Sequence, residues 1–360
     1  MRPGLRVLMV AHSFPPYVGG LSYVVENLSR ELVSMGHRVE VVTLDIGDGL
    51  PPVEERDGVL VRRFRGYAPD RGYFIPSRSF INYVSEAEAD VYHLHNIGAL
   101  TVPAAWLALR RKKRDYVITP HYHRSGYTWH AALLWRPYKL IARRILREAR
   151  AVHTVSRYEA ELVKQSFGVD SIVVPNGVSR DVLGYKWSPP RRPVIVYAGR
   201  MEHYKRVDRL VEAAALLAKK IGEKPVVKLI GRGPALEKAL RLASELGVEI
   251  RHHDFLPRRR YLEELATSTV FVNLSRYEAY SIVTAEAIAI GLPVVAAKPW
   301  GRTFEGIDGV WLVDPDDLEE TVEAIRQALS YTPRRPGHAI PTWREVAEEI
   351  VEKVYAKALS

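Results

Sequence analysis

The chain has 360 residues, 47% of them hydrophobic, which is enough apolar material for two cores rather than one. It contains no cysteine, which excludes disulfides and thiolate metal sites, and no apolar run of the ~18 residues that a membrane-spanning helix needs. Its formal charge is +10, and residues 101–150 account for all of it, with twelve Lys and Arg against Asp115 and Glu148.

In chain order, Met1-Arg-Pro-Gly4 runs directly into an apolar strand, Leu5–Ala11, without the layout of a signal peptide. A Pro-rich loop, His12–Gly20, ends in Gly19-Gly20. Helical periodicity follows over Leu21–Met35, with Leu21, Val24, Val25, Leu28, Leu32 and Val33 on one face. Gly36-His37 turns into a second strand, Val39–Leu44. The result is a β-α-β unit with a Gly-bearing loop where open α/β sheets bind ligands. Pro51–Arg65 reads as a loop and one short strand. Asp90–His95 and Tyr116–Thr119 are further strands, the second ending at Pro120-His121-Tyr122-His123. Arg143–Arg150 ends a helix, and Ala151–Val155 and Ser171–Val174 extend the sheet. Val174-Pro-Asn176-Gly-Val178 is a turn, and Trp187–Pro193 reads as a stiff linker between domains.

A second alternating set starts at Val194–Ala198. It continues through Val207–Ile221, Val226–Ile230, Ala235–Leu246, Val248–Ile250, Tyr261–Ser268, Val270–Leu274, a helix near Ser281–Ile290, Pro293–Ala297, Val310–Val313 and Asp317–Ser330. Tyr331–Pro341 is rich in Pro and Gly, and Trp343–Leu359 is a final helix. Alternation in both halves predicts two doubly wound parallel sheets with a cleft between them. The helix near Ser281 is almost entirely apolar, yet it carries Glu286, a carboxylate that burial penalises unless something pairs with it. Glu278 lies in the loop before it.

The loop Gly199-Arg200 to Lys205-Arg206 follows the first strand of the second half. Two fixed cations there suit a diphosphate, Arg200 as a planar fork and Lys205 as a point charge. Taken alone they read equally as solvated loop cations. The helix at Ser281, with Ser as a natural N-cap, offers a second anion site through its first amides.

At these residues the chain resembles the retaining, two-domain glycosyltransferases of family 4, the group 1 transferases. Four motifs carry the resemblance in order: Pro15-Pro16-x-x-Gly19-Gly20 with its helix to Gly36-His37, Pro175-Asn176-Gly177-Val178, Gly199-Arg200 with Lys205, and Glu278-x7-Glu286. The resemblance implies the GT-B architecture, two Rossmann-like domains facing a cleft. Residues 1–186 would form the acceptor-binding domain, 187–335 the nucleotide-sugar domain, and 336–360 a helix crossing back to the first domain. It implies that Arg200 and Lys205 hold the diphosphate, Glu286 the ribose and Glu278 the sugar hydroxyls. Gly19, Gly20, Asn176, Tyr280, Ser281 and Ile282 would complete the donor site. His121 would lie beside the sugar's reacting face, making His121, Glu278, Arg200 and Lys205 the catalytic set. No metal and no cofactor beyond the donor sugar are implied. Ala279, Ser281 and Arg206 stand where the family usually has Gly, and the segment of Ala279 and Ser281 between the two acids is the expected seat of donor specificity.

Two other readings stay open: a nucleotide-sugar epimerase on the same architecture, and a non-catalytic nucleotide-sugar-binding protein. A zinc cluster of His93, His95, His121 and His123 lacks the spacing of known zinc motifs. The basic stretch 110–150 interleaves Trp129, Trp135 and Tyr138 with Leu133, Leu134, Leu140, Ile141 and Ile145, and with Arg136, Lys139, Arg143, Arg144 and Arg147. It suits either a core-packed helix with a basic outer face or docking to an anionic membrane carrying a lipid-linked acceptor. Nucleic acid is not expected, because no binding motif accompanies the charge. The expected setting is the cytoplasm, peripheral at the inner face of the cell membrane. Two Gln and five Asn, with abundant Arg, Glu and Lys, predict heat stability.

Overall fold

A computed structural model describes residues 4–47, 49–68, 74–123, 129–332 and 340–360, with only the backbone of 129–134. The chain divides into two compact units, Met1–Asn176 with Trp343–Ser360, and Gly177–Thr342.

Unit 1 opens with β1 (Arg6–Val10), α1 (Gly20–Ser34) and β2 (Arg38–Asp45). Val24, Val25, Leu28 and Leu32 form the buried face of α1, as the periodicity requires. The segment read as a loop and one strand is a hairpin, β3 (Val53–Arg56) and β4 (Val59–Tyr67), paired antiparallel. It turns at Asp57 and Gly58, both with positive φ, which matches the twist of a two-residue hairpin. Its outer strand is mostly exposed and polar, so it has no apolar period to reveal it. There follow β5 (Ile75–Pro76), α2 (Arg78–Glu86), β6 (Val91–His95), α3 (Thr101–Arg111), β7 (Val117–Thr119), α4 (Trp129–Glu148), β8 (Ala151–Thr154), α5 (Arg157–Phe167) and β9 (Ile172–Val173). The sheet order is β3-β4-β2-β1-β6-β7-β8-β9, with β5 paired to β4. Strand β1 lies between β2 and β6, so the winding reverses there.

Unit 2 contains β10 (Val194–Ala198), α6 (Val207–Ile221), β11 (Val226–Ile230), α7 (Leu236–Leu246), β12 (Glu249–His253), α8 (Arg258–Ala266), β13 (Val270–Asn273), α9 (Ile282–Ile290), β14 (Val294–Ala297), α10 (Lys298–Gly301), β15 (Val310–Val313) and α11 (Leu318–Leu329). Its six strands run β12-β11-β10-β13-β14-β15, every pairing parallel, and the winding reverses between β10 and β13. The two compact units divide between Asn176 and Gly177. The expected linker is pinned to unit 2. The Trp187 amide donates to the Ile290 carbonyl, its indole to the Ser268 carbonyl, and the Ser188 amide to the Ala266 carbonyl.

The chain returns to unit 1 as α12 (Trp343–Glu349), a π-helical stretch (Ile350–Tyr355) and α13 (Ala356–Leu359). The tryptophan at its start packs edge-on against Tyr23 of α1 at 6.2 Å. Residues 333–339 of the expected Pro/Gly-rich connection lie outside the described residues.

Candidate active site

In an open parallel sheet, ligands bind beyond the carboxyl ends of the strands at the point where winding reverses. In unit 2 that point is the end of β10 and β13, which places Gly199–Arg206 beside Ser275–Ser281. Arg200 is 66% exposed, and Lys205 is mostly buried and paired with Glu278. The two paired residues are 73 positions apart in the chain. Asn273, at the end of β13, organises the loop between them and α9. Its Nδ2 reaches Ser281 Oγ at 3.1 Å and Thr284 Oγ1 at 3.4 Å, and its Oδ1 accepts from the Ser275 amide at 3.1 Å. The Arg276 amide donates to the Tyr204 carbonyl at 2.9 Å, and Asp316 sits between Arg206 and Arg276.

A second glycine pair supports this corner. A methyl group on Gly231 would collide with the Gly199 carbonyl, and one on Gly233 with the Met201 backbone. The Gly231-Arg-Gly233 turn can therefore lie directly under the Arg200 loop.

Ser281 does not cap α9 through its side chain. It is left-handed, with φ 73°, and its hydroxyl turns to Thr284 Oγ1 at 2.8 Å, leaving the first amides of α9 without a side-chain cap. Tyr280 packs edge-on against Phe304 and is buried, so a ligand there meets its main chain rather than its ring. Ile282 opens α9.

Glu286 is the costly carboxylate of the apolar helix, its side chain only 3% exposed, and unit 2 supplies its partners. Arg258 Nη1 donates to one oxygen at 2.6 Å and the Tyr261 hydroxyl to the other at 2.7 Å, while Arg258 also grips Asp181. Arg258 escapes sequence reading because α8 starts three residues before the expected Tyr261; Pro257 just before it is the available signal.

In unit 1, the loop after β1 leads to Gly19 and Gly20. Neither is crowded, since a methyl at either would meet nothing within 4 Å among the described residues. Their bareness leaves the backbone open to an approaching ligand. The loop is held from below by buried Arg63, which donates to the Pro15 carbonyl at 2.7 Å and pairs with Glu54. Asn176 is buried at the end of the unit.

His121 follows β7 with φ 50°, a strained value for a non-glycine residue. The next amide, that of Tyr122, donates to Glu159 Oε1 at 2.6 Å, and the Val155 amide donates to Oε2 at 2.8 Å. Glu159 is fully buried, and burial pushes its pKa up to about 8 against the pull of those two amides. It thus clamps the backbone beside His121. Its sequence signal is the capping box Ser156-x-x-Glu159, with Ser156 Oγ accepting from the Glu159 amide at 3.0 Å.

The other histidines form a network. His93 Nε2 and His153 Nδ1 both meet Thr119 Oγ1 at 2.8 Å, His93 Nδ1 meets the Tyr355 hydroxyl at 3.0 Å, and His153 Nε2 meets the Val174 carbonyl at 2.9 Å. Among the described residues no group of three or more His, Asp or Glu converges in a metal-binding arrangement.

The aromatic and basic residues of 110–150 separate by face. Trp135 stacks on Tyr122 at 5.9 Å and the Tyr138 hydroxyl donates to the Ile97 carbonyl, so both turn inward instead of outward. Leu140, 72% exposed, stands outside with Ile141 and with exposed Arg136, Arg143, Arg144 and Arg147. The side chains of Trp129, Leu133 and Leu134 lie outside the described residues. No described helix is long and apolar enough to cross a membrane.

Comparison with known proteins agrees with this geometry. The pattern of Glycosyltransferase Family 4 matches residues 18–182, and that of Glycosyl transferases group 1 matches residues 186–337. A D-inositol 3-phosphate glycosyltransferase of Geodermatophilus obscurus is 30% identical over 94% of this chain and 85% of its own. A GDP-mannose-dependent alpha-mannosyltransferase of Mycobacterium tuberculosis is 28% identical over 83% and 80%. A GDP-mannose-dependent alpha-(1-6)-phosphatidylinositol monomannoside mannosyltransferase of Mycolicibacterium smegmatis is 27% identical over 91% and 90%. The fold is that of sucrose-phosphate synthase from Thermosynechococcus elongatus, with TM-score 0.74, 19% identity, and coverage of 98% of this chain and 96% of that one. Two doubly wound units with these relatives define a GT-B glycosyltransferase that uses a nucleotide sugar. The chain belongs to glycosyltransferase family 4, the group 1 transferases.

Proposed function

We propose that this enzyme moves a hexose from a nucleoside-diphosphate sugar to an acceptor hydroxyl with retention of configuration and without a metal ion. Arg200 and Lys205 neutralise the diphosphate with the first amides of α9, Glu286 holds the ribose, and Glu278 the sugar hydroxyls. Gly19 and Gly20 bring backbone against the donor, Asn176, Tyr280, Ser281 and Ile282 complete its site, and His121 stands at the reacting face. The bond between the anomeric carbon and the diphosphate breaks, an oxocarbenium-like centre forms, and the acceptor oxygen attacks from the same face while its proton passes to the departing phosphate. Such a step depends on charge stabilisation of the leaving group. The observation that carries this reading is the meeting of Lys205, Glu278 and the uncapped start of α9 where the winding reverses. Two relatives named for GDP-mannose make that the first donor to test.

For the acceptor, the relatives named for inositol phosphate and a phosphatidylinositol mannoside favour a polyol headgroup, free or lipid-linked. The exposed Leu140 and Ile141 among outward arginines on α4 support docking to an anionic membrane.

The test is release of nucleoside diphosphate from a panel of nucleotide sugars, with and without chelator and with soluble or vesicle-borne polyol acceptors. Acceptor-dependent release that survives chelation is expected. Conversion of the donor without acceptor would indicate an epimerase, donor binding with no turnover a binding protein, and abolition by chelator would overturn metal independence. Failure to sediment with anionic vesicles at low salt would remove the membrane.

A further inference from the structure

Two imidazoles meet beside the candidate site. His121 Nε2 and His95 Nδ1 lie 3.3 Å apart, with the rings stacked at 5.6 Å and 22°. Burial, reinforced by neighbouring imidazoles, lowers the pKa of both, so both are neutral at ordinary pH. A neutral imidazole has one donor nitrogen and one acceptor nitrogen. One hydrogen therefore lies between the rings, and one of them owns it.

The far nitrogen of His95 decides the ownership. His95 Nε2 is sealed from solvent and meets no hydrogen-bond partner among the described residues. Were His121 the donor, His95 would carry its own hydrogen on Nε2, as an enclosed N–H without an acceptor. Orphaned buried N–H groups are the rarest unsatisfied groups in folded proteins. With His95 Nδ1–H as donor, Nε2 is a bare ring nitrogen and no N–H is stranded. The His95 ring is held in place by the His93 ring, whose centroid is 4.0 Å away. His93 is itself bonded at both nitrogens, to Thr119 and Tyr355.

We infer that His95 is a positioning residue that donates to His121 Nε2 and fixes His121 as the Nδ1–H tautomer. The nitrogen of His121 left for a ligand then carries a hydrogen. Resting on the reading of His121 as the site histidine, this makes His121 a hydrogen-bond donor to the substrate rather than a base.

The experiment is nitrogen-15 NMR of the full-length protein labelled at histidine, with the His121 signals assigned by their loss in His121→Ala. The wild type should show His121 protonated at Nδ1 near neutral pH. His95→Phe, which keeps a ring but cannot donate, should lose that single tautomer, and kcat should fall by about tenfold, the rate equivalent of one misdirected hydrogen bond to the transition state. His95→Asn, whose amide nitrogen stands in for Nδ1, should restore both. Affinity for nucleoside diphosphate should not change in either variant. An Nε2–H tautomer of His121 in the wild type, or an unchanged tautomer in His95→Phe, would overturn the inference. The wild-type spectrum decides by itself if His95→Phe does not fold. Full turnover by His121→Ala would overturn the role of His121 while leaving the tautomer result intact.

Discussion

Unit 1 surrounds its candidate histidine with neutral imidazoles, whereas unit 2 surrounds its candidate carboxylates with cations. His93, His95 and His153 are buried around the strand ends of unit 1, and burial lowers the pKa of each. Unit 2 instead pairs Lys205 with Glu278, Arg258 with Glu286, and buried Lys228 with Glu264. On the proposed reading, the difference matches what each unit would hold. A diphosphate needs fixed cations, and fixed cations near a buried site need acids to keep them stable until the anion arrives. A surface that meets uncharged hydroxyls can use imidazoles, which are inexpensive to bury while neutral but tie stability to pH.

The largest way to break this contrast is to remove a cation from unit 2. Lys205→Ala should lower kcat/KM by roughly 10²–10³-fold, the usual loss for one leaving-group stabiliser, measured as diphosphate release. A change below tenfold would place the diphosphate elsewhere.

The next effect is acid sensitivity confined to unit 1. The folded His153 has its pKa pushed down to about 4, below the ordinary value of 6.5. Its unfolded form therefore binds the extra proton, so its stabilising contribution is present above about pH 6.5 and is lost as pH falls towards 4. That is roughly 3 kcal/mol from this residue, with His93 and His95 acting in the same direction. In unit 2, Asp181 is held below the ordinary carboxylate range, burial being outweighed by Arg258, so its contribution persists to lower pH. Hydrogen exchange between pH 7 and 4 should show unit 1 opening first, and simultaneous opening would remove the distinction.

A smaller effect comes from Arg258→Ala, which leaves the buried Glu286 charge short of its cation. Unit 2 should lose about 2–3 kcal/mol in urea unfolding, partly recovered by adding Glu286→Gln. No recovery would mean that Arg258 acts mainly through Asp181.

The smallest effect sharpens the comparison inside unit 1. Glu159 has a folded pKa of about 8 against an ordinary 4.5, so between those values the folded state holds the extra proton and stability declines as pH rises. Glu159→Gln should cost about 1–2 kcal/mol through one lost amide bond and flatten the slope between pH 6.5 and 8. An unaltered slope would show that Glu159 does not titrate there.

Much of this was legible in the chain. The apolar strands and the 3.6-residue periodicity of α1 are local properties, set by neighbours within a few residues. So is the placement of Gly19, Gly20, Arg200, Lys205 and Glu278 in loops after strands, because parallel alternation leaves those loops at the carboxyl end of a sheet. The hairpin strand Val53–Arg56 was not legible, since an exposed edge lacks an apolar period. Ser281 has the residue type of a cap, but its left-handed backbone turned the hydroxyl to Thr284.

Alone, the sequence determined that the chain forms two alternating α/β units and which loops carry charge. Tertiary structure decided which charges meet. Glu286 looked like an unpaired acid until Arg258 and Tyr261 arrived from α8; the Tyr122 amide reached Glu159 from the loop after β7, and His121 stacked on His95. Burial, hydrogen bonding and tautomer depend on atoms brought together from 25 or more positions away in the chain, and no local pattern encodes them.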